Sequence, residues 1–257
     1  MATKNDITGD ALVSRGASKA YLANYDLIFR KGNPKRTNDE TESEKEINKK
    51  LPCLIRLHKA IPIAAGMGGG SADAAATLVG LNELYKLGLS QQKLAEISSK
   101  IGKDVPFFIY GKNAFVEGIG EKIQEIALDS RTFLVIFPNQ GIATQAIFQD
   151  PELTRNHRQI TIEGFLASPW QDLSNDCQAV AMRICPEVKL ALDWISLTVP
   201  GSEPRMSGSG SSVFAVLDPK TDLAKLENLL QNLPKGWKGR VVRGLNKNPA
   251  YNLVSSD

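Results

Sequence analysis

The apolar positions of this chain change their period several times along its length, and each change marks an element. Residues 1–16 are polar and show no period. Tyr21, Leu22, Tyr25, Leu27, Ile28 and Phe29 fit one face of a helix that ends before Gly32. Residues 32–50 are rich in Glu, Lys, Asn and Thr, with Pro34 near their start, and read as an exposed connection. From 52 to 63 the pattern alternates in part, Leu54, Arg56 and His58 against Ile55, Leu57 and Lys59, which predicts a strand. Residues 72–86 predict an alanine-rich helix with Leu78, Leu81, Leu84 and Tyr85 to one side and Gly88 as its stop. Ser90 is placed to cap a second helix, with Leu94, Ile97 and Ile101 at helical spacing and Gly102 as terminator.

Strands are predicted at 114–117 and 133–137, and helices within 177–184 and at 186–197. A Gly/Ser-rich segment, 206–212, runs into a strand at 213–217; a helix at 223–233 and a strand near 240–243 follow. No repeat stands out. Strands and helices mix without βαβ alternation, so the expected class is α+β. A boundary near 130–140 gives two domains, 1–130 and 131–257, with one glycine segment in each.

Composition narrows the field. With 257 residues the chain can bury one large core or two modest ones. Lys and Arg number 31 against 28 Asp and Glu, and the net charge of +3 suits an anionic ligand. No basic run with interleaved aromatics occurs, so no nucleic-acid partner is expected. The longest apolar stretches, such as 133–138, are too short to cross a bilayer. The opening MATKNDITGD lacks the apolar core of a secretory signal. No membrane partner and, by default, a cytoplasmic location are therefore expected. Cys53, Cys177 and Cys185 make an odd count without a CxxC pair, which argues against a disulfide framework or a zinc site. His58 and His157 are the only histidines, and all five residues read as structural.

Chemistry concentrates in PIAAGMGGGSADAAA, residues 62–76. Gly66, Gly68, Gly69 and Gly70 remove side chains where a backbone must turn sharply and approach a ligand. The helix that follows at once presents unpaired N–H groups and the positive end of its dipole, which together make an anion site. Ser71 can offer a hydroxyl to phosphate or metal, and Asp73 falls in the first turn. There is no Gly-Lys-Ser/Thr, so this is not a Walker loop. The G-x-G-x-x-G fingerprint is out of register, and its acid some 20 residues on is missing. The bland alternative is a tight glycine turn without a ligand.

This loop resembles the phosphate loop of the GHMP kinases, the superfamily of galactokinase, homoserine, mevalonate and phosphomevalonate kinases. GKDVPFFIYGKNAFVEGIGE (102–121), TQAIFQDPELTRN (144–156), LSNDC (173–177) and RMSGSGSSVFAVL (205–217) are similar to further segments of one branch, in the expected order. That branch phosphorylates the 2-hydroxyl of a cytidyl-linked methylerythritol in non-mevalonate isoprenoid biosynthesis. The likeness implies two domains with the active site in the cleft between them, and ATP with Mg²⁺ as cofactor. It implies that Lys59, Pro62, Ala64, Ala65, Gly66, Met67, Gly68, Gly69, Gly70 and Ser71 bind ATP. Asp104 would lie beside the hydroxyl to be phosphorylated, where a carboxylate can orient or deprotonate it. Thr144, Phe148, Ser207, Gly208, Ser209 and Gly210 would contact the acceptor, with Phe148 stacked on the base.

Plainer roles stand beside these: a helix cap for Asp104, an exposed strand lysine for Lys59, a core anchor for Phe148 and a strand-entry turn for 207–210. The family's opening Pro-Ala-Lys-x-Asn-Leu and its later Gly-Tyr-His are not found. Lys19 in 16–22 stands where the lysine would be, but 19–29 fits better on the helix after those first strands. The expectation is that roughly 40–50 residues of the family's front are absent or replaced. A nucleotide-binding protein without catalysis, or a kinase for another small alcohol, is the alternative.

Overall fold

The structure, a computed structural model, describes Cys53 and residues 55–118, 120, 122–157, 160–167 and 173–248. The helix expected over 21–29, the connection at 32–50 and Lys19 lie outside the described residues.

Three helices make the first core. Helix α1, Gly69–Leu84, buries Ser71, Ala74, Ala75, Leu78, Val79 and Asn82, one stripe at i, i+3, i+4, i+7, i+8 and i+11. The stripe therefore follows small residues. Leu84, expected on the buried side, is 69% exposed. Asn82 closes the turn to the next helix: its side-chain amide donates to the Leu89 carbonyl (3.1 Å) and its oxygen accepts from the Leu89 N–H (3.0 Å). Helix α2, Gln91–Ile101, is capped by Ser90 Oγ, which accepts from Lys93 N at 3.2 Å, and ends at Gly102 as expected. Helix α3, Val105–Tyr110, begins with Pro106 in its first turn and stops at Gly111. Ala74, Ala75, Leu78, Leu94, Ile97, Val105 and Ile109 form the shared core.

A hairpin follows. Strand β1, Ala114–Glu117, pairs antiparallel with β2, Lys122–Glu125. The second core is built on one face of an antiparallel sheet. Strand β3, Thr132–Phe137, leads to the short helices α4, Thr144–Gln149, and α5, Ile162–Ala167. Helices α6, Asp176–Ile184, and α7, Pro186–Thr198, follow. Strand β4, Arg205–Met206, strand β5, Val213–Val216, helix α8, Leu223–Leu230, and strand β6, Lys238–Arg243, complete the unit. The sheet order is β4-β5-β3-β6, every pair antiparallel. Leu134 and Ile136 from β3 meet Ile147, Val180, Val188, Ile195 and Val213, all essentially inaccessible to water. Cys177 and Cys185 are buried here as small apolar residues, as expected.

Of the strand predicted over 52–63, none of the described residues is in a strand, and Ile55, Leu57, Ile61 and Ile63 are exposed. Alternation permits a strand, but a ladder partner creates one, and none is found among the described residues.

Candidate active site

The first glycine segment is a turn that no side chain closes. Gly66 (φ 69°) and Gly68 (φ 63°) are left-handed, and α1 begins at the next residue. The first bond of the helix runs from Ala72 N to Gly68 O at 2.9 Å, and Gly68 provides no capping side chain. The N–H groups of Gly69, Gly70 and Ser71 thus form the open first turn of a 16-residue helix. Lys59 is ion-paired with Asp73 of that turn. Its ammonium lies 3.6 Å from where a Cβ on Gly69 would be, beside the open helix end.

The second glycine segment is docked on the first. The Ser207 hydroxyl donates to the Gly66 carbonyl (2.8 Å), and Ser212 N donates to the Ala65 carbonyl (3.1 Å). A Cβ on Gly66 would come within 2.1 Å of the Ser207 carbonyl oxygen, so this contact requires glycine. Ile142 N reaches the Ala64 carbonyl at 3.3 Å and adds the segment before α4 to the same wall. Thr144 Oγ1 and Ser209 Oγ are 2.8 Å apart and hydrogen-bonded. Ser211 and Ser212 are fully buried behind them, their hydroxyls without a partner among the described residues.

Asn175 holds this second segment. As N-cap of α6 its Oδ1 accepts from Cys177 N at 2.8 Å. Its Nδ2 donates to the carbonyls of Met206 (2.9 Å) and Gly208 (2.8 Å). Gln178 Oε1, one turn on, accepts from Met206 N at 2.8 Å.

Asp104 stands at the start of α3, yet its side chain caps nothing. No group among the described residues hydrogen-bonds its half-buried carboxyl, and burial pushes the pKa up from 3.8 to about 6. The plain capping role is thereby set aside. Phe108, four residues on and on the same helical face, lays its ring over the first loop: a Cβ on Gly68 would lie 2.7 Å from that ring. Asp104 is thus tied to the open end of α1 through Phe108.

The remaining candidates are spread along these walls. Pro62 and Met67 are half-buried in the first loop, Ala64 is exposed and Ala65 is buried. Phe148, on α4 one turn after Thr144, packs part of its ring on the second core. Arg155 fastens that helix by donating to the carbonyls of Phe148 (2.9 Å) and Asp150 (3.0 Å). Reading the sequence alone missed Phe108 and the clamp made by Asn175. An Asn before a helix announces a cap, but nothing local announces its grip on a loop 31 residues away. Among the described residues no three His, Cys, Asp or Glu converge to hold a metal. No helix among them is long and apolar enough to cross a membrane.

The family described as "GHMP kinases N terminal domain" matches residues 36–112, and "GHMP kinases C terminal" matches 154–236. A 4-diphosphocytidyl-2-C-methyl-D-erythritol kinase of Polynucleobacter necessarius is 67% identical over 231 residues, 90% of this chain and 75% of the relative. The enzyme of that name from Polynucleobacter asymbioticus is 72% identical over 207 residues, 80% of this chain and 70% of the relative. The crystal structure of a 4-(cytidine 5'-diphospho)-2C-methyl-D-erythritol kinase superposes with a TM-score of 0.58 at 30% identity, covering 72% of this chain and 68% of that one. The chain belongs to the GHMP kinases, and among them to the 4-diphosphocytidyl-2-C-methyl-D-erythritol kinases.

Proposed function

We propose that this kinase transfers the terminal phosphoryl group of ATP to the 2-hydroxyl of 4-diphosphocytidyl-2-C-methyl-D-erythritol, a step of non-mevalonate isoprenoid synthesis. The observation that carries the reading is the pairing of an uncapped helix end with a half-buried carboxylate, Asp104, that has no hydrogen-bond partner among the described residues and starts the helix that covers the loop. An open helix end is a site for phosphate, and an acid with a raised pKa is suited to take a hydroxyl proton near neutrality.

The residues present fit the nucleotide. The amides of Gly69, Gly70 and Ser71 would cradle its phosphates, and Lys59 would place a positive charge at their side. Pro62, Ala64, Ala65, Gly66, Met67 and Gly68 would shape the loop around them. ATP supplies the phosphoryl group, and Mg²⁺ would neutralise the phosphate oxygens. Of the side chains in this turn, Ser71 would offer the metal a hydroxyl from a largely buried position; the Asp73 carboxylate is engaged by Lys59. With so small a set, the metal would be carried mainly by phosphates and water.

Asp104 would orient the acceptor hydroxyl and accept its proton. Phosphoryl transfer depends mostly on positioning and charge stabilisation, so the walls matter as much as the base. Thr144 and Phe148 would hold the cytosine end, and Ser207, Gly208, Ser209 and Gly210 the rest of the acceptor. Both reactants are polar nucleotides, in keeping with a cytoplasmic enzyme.

The test is ADP release by the purified chain with ATP, Mg²⁺ and the cytidyl-linked acceptor, set against Asp104→Asn. Turnover confined to the unaltered protein supports the reading; equal background in both sinks it.

A further inference from the structure

In a trans peptide the carbonyl and the following N–H point in opposite directions. The Gly208–Ser209 peptide is trans, and its carbonyl is held by Asn175 Nδ2 at 2.8 Å. The Ser209 N–H must therefore point away from α6. Among the described residues nothing accepts from it. The same amide group of Asn175 takes the Met206 carbonyl at 2.9 Å, which fixes the strand end just before the loop. Two donor hydrogens thus set two peptides, while Oδ1 closes the N-terminus of α6 on Cys177 N.

We infer that Asn175 is a positioning residue: it orients the Gly208–Ser209 peptide so that the Ser209 N–H and hydroxyl together face the bound acceptor. The Ser209 hydroxyl is hydrogen-bonded to Thr144 Oγ1 at 2.8 Å, so the peptide's orientation joins α6 to α4 through one turn of chain. Gly208, with φ 55°, lets the backbone make that turn. This inference rests on the proposed function only for its ligand. The orientation itself is a property of the loop.

The two duties of Asn175 can be separated. Asn175→Asp keeps an oxygen for Cys177 N and suits a helix N-terminus, but has no hydrogen for either carbonyl. Asn175→Ser likewise caps without clamping, and replaces the Asp variant should that one fail to fold. Asn175→Ala loses both duties. The expected result for the capping variants is a melting temperature close to that of the unaltered chain. Their kcat/KM should fall on the order of 100-fold through a raised acceptor KM. ATP-analogue binding should be unchanged. In ¹⁵N–¹H spectra the Gly208 and Ser209 resonances should move while those of α6 hold. Unmoved loop resonances, or a loss of activity that merely tracks melting temperature through the Ala variant, would overturn the inference. Should the unaltered chain show no transfer, the proposed reaction falls, and the loop resonances decide the positioning role alone.

Discussion

The Ser207 hydroxyl donates a 2.8 Å hydrogen bond to the Gly66 carbonyl, joining segments 141 positions apart into one wall. The wall has no room for a side chain at Gly66, where a Cβ would fall 2.1 Å from the Ser207 carbonyl oxygen and the backbone is left-handed. Gly66→Ala must therefore separate the two segments or strain the turn. It is expected to destabilise by about 1–3 kcal/mol and to abolish measurable ATP-analogue binding. Chemical denaturation and calorimetry on the same protein check both.

Asp104 gives a prediction in two directions. If it is the base, as proposed, it must be ionised, so kcat/KM should fall as pH drops through about 6, and Asp104→Asn should lose about 100- to 10,000-fold in rate. Stability should move the other way. Between pH 3.8 and about 6 the unfolded chain releases a proton that the folded chain retains, so this group's contribution to stability is lost as pH rises. At pH 8 Asp104→Asn should be more stable than the parent by on the order of 1 kcal/mol, with the gap closing below pH 4. Paired thermal melts at the two pH values check it.

Lys59 and Asp73 share one ion pair at the helix end, each about a quarter exposed. Lys59→Met removes the cation and leaves a carboxylate at the end of the helix proposed to bind phosphate. Its dissociation constant for an ATP analogue should rise about 10- to 100-fold. Asp73→Asn frees the lysine and should change binding far less. Calorimetric titration of both variants orders them.

Phe148 packs on the second core and, in the proposed reading, stacks on the acceptor base; size and shape separate the two. Phe148→Ala removes packing from the second core and should cost about 2–4 kcal/mol. Phe148→Leu keeps most of that packing but not the flat ring. Its melting temperature should stay near the parent's while the KM for a cytidyl-linked acceptor rises roughly 10-fold. Steady-state kinetics with ATP saturating measures the rise.

Much of the fold was legible because local signals and tertiary packing agree. Ser90 caps α2, Gly102 ends it, and Leu94, Ile97 and Ile101 are buried as their spacing requires. The face of α1 was misread because large side chains draw the eye. The helix turns its alanines inward, where neighbouring helices pack on them, and leaves Leu84 in water. Strand β2 escaped notice since Lys122 to Glu125 carries one apolar residue and owes its form to pairing with β1. The alternation over 52–63 misled for the complementary reason: pattern without a partner among the described residues.

The site divides the same way. Glycines followed at once by a helix are visible in the letters, because the chemistry of the loop is local. Phe108 over Gly68, and Asn175 on the carbonyls of Met206 and Gly208, are contacts across the chain that no spacing rule encodes.

Helix α1 starts with no side chain to close it, and that has a consequence for the protein at rest. In the proposed reading its cap would be supplied by the nucleotide. A phosphate seated on Gly69, Gly70 and Ser71 would complete a helix that anchors the whole first core, so the cell's nucleotide level would set how firmly this half of the molecule is folded. Starvation for ATP would then loosen the enzyme as well as idle it.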